Sequence, residues 1–182
     1  MKKVILFGDS IRLIGYGTVL PQILGADYEV WQPKDNGRFS LYTLCNLKSW
    51  LNDANRKPDV IHWNNGLWDA VVRYEEDGPL VPKDLYVQMM LRIARELKKA
   101  APRVIFATTT PVRPEKTDQD NNRICAYNEA IVPKLQNMGI EINDLHSLVA
   151  KDIPRYIRSD DNIHLTDEGI LLCANRIAEI LR

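Results

Sequence analysis

The sequence predicts a three-layer α/β/α sandwich around a central parallel sheet of about five strands. Short apolar runs rich in β-branched residues alternate along the chain with longer segments of helical periodicity. The short runs are apolar at consecutive positions, which is typical of strands covered by helices on both faces. Sheets of this kind bind ligands beyond the carboxyl ends of their strands, so we expect the functional residues at that edge.

Each strand is predicted from a short apolar run. The first run follows two lysines and superficially resembles a signal peptide, but it is too short, and the sequence Gly8-Asp9-Ser10 ends it. The fifth run is the weakest. The predicted strands are Lys3–Phe7, Tyr28–Trp31, Val60–Asn64, Val104–Thr108 and Ile140–Asn143.

The helices are predicted from apolar residues at helical spacing. Pro133 is expected to shorten or kink the fourth of them, because proline lacks the N–H that an inner helical turn requires. Thr166 is the expected N-cap of the last helix, and the polar stretch Arg113–Asn122 is expected to be a mobile loop. The predicted helices are Thr18–Leu24, Ser40–Asn52, Asp84–Ala100, Asn121–Gln136 and Asp167–Leu181.

Composition narrows the functional class. The 182 residues suit one domain spanning residues 1–182, and the formal net charge of zero lacks the basic excess of nucleic-acid-binding proteins. No apolar segment has the length of a membrane span, so we expect a soluble, cytoplasmic protein. The three cysteines, Cys45, Cys125 and Cys173, lack metal-type spacing and are interpreted as small core residues in a reducing compartment. No metal or organic cofactor is expected.

Two short segments carry the candidate chemistry. Ser10 follows the first strand directly, and a serine hydroxyl becomes a good nucleophile when a base removes its proton. Asp161 precedes His164 by three residues in a loop before the last helix, so a carboxylate can orient an imidazole there. Taken alone, each segment also fits an ordinary turn or surface loop.

Together the two segments resemble the SGNH/GDSL hydrolase family. That family has its nucleophile in a Gly-Asp-Ser motif after the first strand and an Asp-x-x-His motif before its last helix. Here Gly8-Asp9-Ser10 and the block Asp161–Gly169 (DNIHLTDEG) match these motifs in the same order, at opposite ends of the chain. The resemblance implies the SGNH hydrolase fold and a catalytic triad of Ser10, His164 and Asp161.

The resemblance also implies an oxyanion hole with three donors: the backbone N–H of Ser10, the backbone N–H of Gly37 and an asparagine side chain after the third strand. The third block departs from the family pattern Gly-x-Asn-Asp, because this chain has Gly66-Leu67-Trp68-Asp69 there. Trp68 occupies the asparagine position, and Asn64 is favoured over Asn65 as the replacement donor. Asn36, beside Gly37, also fits a plain turn residue.

Other polar and aromatic residues near the expected strand ends are assigned more simply. Asn65, Trp68 and Arg38 are candidate substrate contacts, although they also fit ordinary packing. His62 and His146 are interpreted as structural. Asp9 is expected to accept backbone hydrogen bonds that hold the turn beside Ser10.

The function predicted from these residues is hydrolysis of a small O-acyl ester, with an O-acetyl group on a carbohydrate as the first choice. Lysophospholipid and thioester substrates stay open. One alternative is a non-catalytic flavodoxin-like module that binds a small molecule. A weaker one is a metal-dependent phosphoesterase using Asp9, Asp161 and His164. The predicted partner is a small-molecule or carbohydrate ester, with neither nucleic acid nor membrane, and the oligomeric state is not predicted.

Overall fold

A computed structural model describes residues 1–55 and 57–182, and it confirms the predicted three-layer architecture. Five parallel strands form the central sheet in the order β2-β1-β3-β6-β7, and β4 and β5 form a separate antiparallel hairpin. The sequence did not predict this hairpin. The strands are β1 (Lys2–Phe7), β2 (Tyr28–Trp31), β3 (Val60–Trp63), β4 (Val72–Tyr74), β5 (Gly78–Pro79), β6 (Arg103–Ala107) and β7 (Glu141–Asn143).

Helices cover both faces of the sheet. The second to fourth helices pack side by side, and the first and fifth pack against the last one. The helices are α1 (Leu20–Leu24), α2 (Ser40–Asp53), α3 (Lys83–Ala100), α4 (Asn121–Asn137), α5 (Leu145–Val149), α6 (Ile153–Tyr156) and α7 (Asp167–Leu181). In the described part of the chain, every helix is too short or too polar to cross a membrane.

Two sequence expectations about side chains need correction. Helix α4 continues past Pro133 to Asn137, and the proline is exposed, close to the helix end. Cys45 is exposed on α2, Cys125 is half-buried on α4 and Cys173 is buried in α7, so the core interpretation holds fully for Cys173 and not for Cys45.

The structure at the start of α7 explains why Thr166 and Gly169 stand at these positions. The Thr166 hydroxyl accepts a hydrogen bond from the Gly169 N–H at 3.1 Å, as expected for an N-cap. A Cβ atom on Gly169 would lie 2.4 Å from the carbonyl oxygen of Tyr156. Glycine therefore lets α7 lie close against the backbone that precedes the candidate catalytic loop.

The sheet register brings the first and third strands to a common end. Phe7, the last residue of β1, pairs with Trp63, the last residue of β3, and Phe106 of β6 pairs with Trp63 on the other side. All three rings are fully buried. The segments that follow β1, β3 and β6 therefore emerge side by side at the carboxyl edge of the sheet.

Candidate active site

Ser10 lies at this edge, two residues beyond Gly8 and directly before a π-helical turn over Ile11–Gly15. The Asp9 carbonyl accepts the backbone N–H groups of Arg12 and Leu13, at 3.1 and 3.0 Å, which fixes the start of the turn. The first N–H groups of a helical segment have no intrahelical acceptor, and that of Ser10 is among them. The local backbone thus combines a half-buried hydroxyl with an amide donor on the same residue.

The Asp161–His164 loop is closed by its own aspartate. Asp161 Oδ1 accepts the backbone N–H groups of Ile163 and His164, each at 2.9 Å, and Oδ2 lies 2.8 Å from His164 Nδ1. Asn162 between them has a φ of 64°, in the left-handed region that asparagine tolerates better than most residues. The loop therefore fixes both the position of the imidazole and the nitrogen that faces the carboxylate.

The carboxylate of Asp161 is stabilised in its charged form. Partial burial acts to raise its pKa, but the amides of His164 and Ile163 and the His164 ring outweigh this effect and lower the pKa to about 2. An ionised carboxylate at Nδ1 favours the tautomer with the proton on that nitrogen, which leaves Nε2 as the acceptor.

Ser10, Asp161 and His164 line one cavity of about 410 Å³. Ser10 and His164 also border a second, adjoining cavity of about 370 Å³. Within the described chain the Ser10 hydroxyl and the His164 ring make no direct hydrogen bond. Such bonds are often long in unliganded enzymes and tighten around the substrate. The structure brings the three predicted triad residues to the wall of the same cavity.

Asn64 belongs to a buried hydrogen-bond chain with Asp9 and Tyr16, and it lines neither of the two cavities that hold Ser10. Its amide nitrogen donates to Asp9 Oδ1 at 2.9 Å, and its carbonyl oxygen accepts the Tyr16 hydroxyl at 2.7 Å. Burial raises the pKa of Asp9, and hydrogen bonds from Asn64 and Ile11 partly offset this effect. Asp9 thus accepts a backbone hydrogen bond, as expected, and in addition sets the orientation of the Asn64 amide.

Gly37 lies against the segment that carries Ser10, but its N–H already has an acceptor. It donates to the Gly8 carbonyl at 2.9 Å, and a Cβ on Gly37 would lie 2.7 Å from that same oxygen.

The loop that carries Gly37 is held in place by Arg12, a residue that the sequence did not single out. The fully buried Arg12 donates to the carbonyls of Pro33, Gly8 and Asp35, at 2.8, 3.1 and 2.6 Å.

Of the three predicted substrate contacts, the structure places one in the wall of the cavity and two outside it. Trp68 lines the cavity with Ser10, half-buried. Arg38 and Asn65 do not line it. The Arg38 guanidinium lies over the Tyr42 ring, 4.6 Å from its centroid, and the fully buried Asn65 amide donates to Arg38 O and Thr43 Oγ1, both at 3.0 Å.

Asn36 lies in the cavity wall, although from the sequence it also fitted a plain turn residue. It lines the cavity beside Ser10, and its side-chain oxygen accepts the Arg38 N–H at 2.8 Å. Within the described chain, its side-chain nitrogen has no hydrogen-bond partner. The only sequence signal was its place next to Gly37.

The other histidines lie away from the cavity. His62 is fully buried in β3, and burial lowers its pKa to about 3, so the ring is neutral. His146 Nε2 lies 3.6 Å from the Cys125 sulfur, and burial lowers the pKa of this histidine. Among the described residues, no group of three or more His, Cys, Asp or Glu side chains has a metal-binding arrangement.

The fold is similar to that of several solved esterase structures. The acetyl xylan esterase AlAXEase shares 20% identity, with a TM-score of 0.81 over 99% of this chain and 100% of that one. A lipase/acylhydrolase from Enterococcus faecalis shares 17%, with a TM-score of 0.84 over 100% and 95% of the two chains. A catalytic mutant of Axe2, an acetylxylan esterase from Geobacillus stearothermophilus, shares 14%, with a TM-score of 0.81 over 98% and 93%. No protein-family model and no curated protein sequence matches the chain. At these identities the likeness establishes a common fold.

Proposed function

We propose that this chain is a serine esterase of the SGNH type that hydrolyses a small O-acyl ester through an acyl-enzyme. The observation that carries the proposal is the 2.8 Å contact between Asp161 Oδ2 and His164 Nδ1, on the wall of the same cavity as Ser10. The likeness to esterase folds supports it, as does the order of the two motifs along the chain.

The reaction follows the chemistry of these three groups. His164 Nε2 takes the hydroxyl proton of Ser10 as its oxygen attacks the carbonyl carbon of the ester. The tetrahedral intermediate collapses, the bond to the alcohol breaks, and His164 returns the proton to the leaving alcohol. Water, deprotonated by His164, then attacks the acyl-Ser10 and releases the carboxylic acid. Asp161 keeps its charge throughout and stabilises the imidazolium.

Three donors are assigned to the developing oxyanion. The Ser10 N–H is the first, and the second hydrogen of the Asn64 amide, whose first is bound to Asp9, is another. Asn36 supplies its side-chain N–H₂ from the cavity wall. Gly37 contributes only when its N–H leaves the Gly8 carbonyl. Each preorganised donor in such a site contributes roughly 10²–10³ in rate.

The substrate class assigned to the site is an O-acetyl ester on a carbohydrate. Two of the similar structures are acetyl xylan esterases, which supports this class. The cavity of about 410 Å³ is in the range of small-molecule sites. Trp68 offers an aromatic surface on which a sugar ring can pack.

Labelling with a fluorophosphonate probe tests the proposal. We expect covalent labelling of the wild type at Ser10, located by peptide mass spectrometry, and none in Ser10→Ala. We also expect Ser10→Ala to reduce turnover of 4-nitrophenyl acetate by at least ~10³, because triad members act as a unit. Ser159→Ala, which removes an exposed serine from the loop before Asp161, is the matched control and should keep normal turnover.

The rival functions give different results in the same experiment. A non-catalytic binding module neither labels nor turns over the ester. A metal-dependent phosphoesterase loses its activity with chelator and does not need Ser10. Near-normal ester turnover in purified Ser10→Ala would contradict the assignment of the nucleophile.

A further inference from the structure

The cavity that holds Ser10 has a second charged region in its wall. Arg73 of β4 and Lys116, in the loop after β6, both line it. Arg73 Nη1 lies 2.8 Å from Asp118 Oδ2, and Lys116 Nζ lies 2.5 Å from Asp118 Oδ1. Two cations share one carboxylate, so this region carries one unit of positive charge in excess. We call these three residues the cation cluster.

The cation cluster is held in place by contacts outside itself. The Val72 N–H donates to the Asp118 carbonyl at 2.9 Å, which ties β4 to the loop after β6. Gln119 and Arg123 donate to the carbonyls of Leu67 and Ala70, both at 2.6 Å. The stretch 113–122, expected from sequence to be a mobile loop, is therefore hydrogen-bonded on this side to the segment after β3.

The same loop is also bonded to the candidate catalytic loop. The Arg113 N–H donates to the Asn162 carbonyl at 3.0 Å, and its guanidinium donates to the Ile157 carbonyl at 2.7 Å. One polypeptide segment thus connects the cation cluster to the Asp161–His164 loop. The position of the two cations relative to the triad is fixed by backbone contacts at both ends of this segment.

The cavity wall is neutral overall, because the positive excess of the cation cluster is balanced by one further ionised carboxylate, which belongs to the candidate triad. Besides the cation cluster and His164, the charged residue lining the cavity is Asp161, and its two oxygens are bound to His164 and two backbone amides. The exposed fractions of the Arg73 and Lys116 side chains are 52% and 25%, so both cations remain open to a ligand. Arginine has donors beyond the one that meets Asp118, and lysine has three in all.

We propose that the ester substrate carries an anionic group, a carboxylate or a phosphate, on its alcohol part, and that Arg73 and Lys116 bind this group. The inference rests on the proposed function: an acetyl group has no charge of its own, so the anion must belong to the leaving alcohol. The same cavity is lined by Leu67, Trp68 and Val71, an apolar and aromatic surface suited to the body of a sugar ring. The substrate class is an O-acetylated acidic sugar.

Matched substrates that differ by one charge test this inference. The probes are mono-O-acetylated galacturonic acid, its neutral methyl ester, and an O-acetylated glucose 6-phosphate, with acetate release as the signal. We expect wild-type kcat/KM to be higher for the two anionic probes than for the methyl ester. The ratio of anionic to neutral kcat/KM should fall about fivefold in Arg73→Gln and in Lys116→Gln, because partly exposed charge pairs contribute at this level. Comparison of kcat/KM between the phosphate probe and the carboxylate probe shows which anion the site prefers.

Lys48→Gln and Arg95→Gln are the charge-matched controls. Both residues line a separate groove between α2 and α3, and their removal should leave the ratio unchanged. A wild-type ratio near one, or a ratio that Arg73→Gln and Lys116→Gln leave unaltered, overturns the inference.

Binding to Ser10→Ala separates this inference from the proposed function. Calorimetry with galacturonic acid and with its methyl ester measures affinity without any turnover. Tighter binding of the acid that is lost in Ser10→Ala/Lys116→Gln supports the anion site even where no probe is hydrolysed. Equal binding of acid and methyl ester overturns it even where the esterase activity is established.

Discussion

Asp161 binds His164 twice: one carboxylate oxygen accepts the backbone N–H of His164, and the other lies 2.8 Å from Nδ1 of its ring. The same residue therefore sets the backbone of the loop and the orientation of the side chain. Two backbone N–H groups, of Ile163 and His164, and one ring nitrogen meet this carboxylate. Substitutions in the loop can therefore separate the electrostatic role of the carboxylate from its structural one.

Asp161→Asn should lower kcat for the ester by about 10³ or more, with a smaller change in KM. The amide still accepts backbone hydrogen bonds through its oxygen, but it presents N–H₂ to Nδ1 and favours the wrong tautomer of the ring. Steady-state kinetics on 4-nitrophenyl acetate measures the effect. Asp160→Asn is the control, because Asp160 is exposed and pairs with Arg158, and its kcat should change less than twofold.

The left-handed backbone conformation of Asn162 predicts different effects for two substitutions at this position. Its φ of 64° strains alanine but suits glycine, so Asn162→Ala should lower kcat by about tenfold, whereas Asn162→Gly should stay within about threefold of the wild type. Circular dichroism checks that both variants are folded. Equal kcat values for the two would show that the left-handed conformation does not govern the position of His164.

Tyr16 is predicted to be a positioning residue for Asn64, the proposed oxyanion donor. Tyr16→Phe removes the hydroxyl that donates to Asn64 Oδ1 at 2.7 Å, so the amide loses one of the contacts that orient it. We expect kcat to fall about tenfold with little change in KM, together with a loss of about 1–3 kcal/mol in unfolding free energy.

Tyr86→Phe is the matched control for Tyr16→Phe. Tyr86 is also fully buried, and its hydroxyl donates to the Asn65 carbonyl at 3.2 Å. A similar loss of stability is expected, without the fall in kcat. If the two variants lower kcat equally, the effect of Tyr16 is a general consequence of destabilisation.

The burial of Asp69 predicts that the free energy of unfolding depends on pH. It is fully buried and accepts hydrogen bonds from the Ser40 N–H and hydroxyl, and burial raises its pKa to about 7 from an ordinary 3.8. Between these two pH values the folded state keeps a proton that the unfolded chain has released. This group therefore stabilises the fold fully below pH 3.8, and the contribution is lost as the pH rises through 7.

Asp69→Asn isolates that contribution. The unfolding free energy of the wild type minus that of the variant should decrease from pH 4 to pH 8, by at most about 1.4 kcal/mol per unit of pKa shift. Urea denaturation at several pH values measures it. The comparison with the variant is needed because buried His62, with a pKa of about 3, contributes with the opposite sign between that value and 6.5. Parallel curves for the two proteins would contradict the prediction.

The sequence predicted the sheet because buried parallel strands leave a local signature, and β2 matches its predicted bounds while β1 differs by one residue. The hairpin of β4 and β5 was missed, since its strands are too short and exposed to show a pattern. Ser10, Asp161 and His164 could be proposed as a triad because they lie in motifs of fixed local spacing, and the structure places all three on the wall of one cavity.

What depends on contacts between distant segments could not be predicted. A fully buried arginine is rare, and nothing around Arg12 in the sequence indicates the carbonyls of Pro33 and Asp35 as its partners. The orientation of Asn64 depends on Tyr16, which lies 48 positions away in the chain. The cation cluster likewise joins residues from two segments that only the folded chain brings together.

The distance in sequence between Ser10 and His164 has a consequence for when activity can arise. During synthesis the hydroxyl leaves the ribosome more than a hundred residues before the imidazole, so a nascent chain holds the proposed nucleophile without its proposed base. If the proposed function holds, ester cleavage is a late signal during refolding, since it requires the Asp161–His164 loop to reach the segment that follows β1.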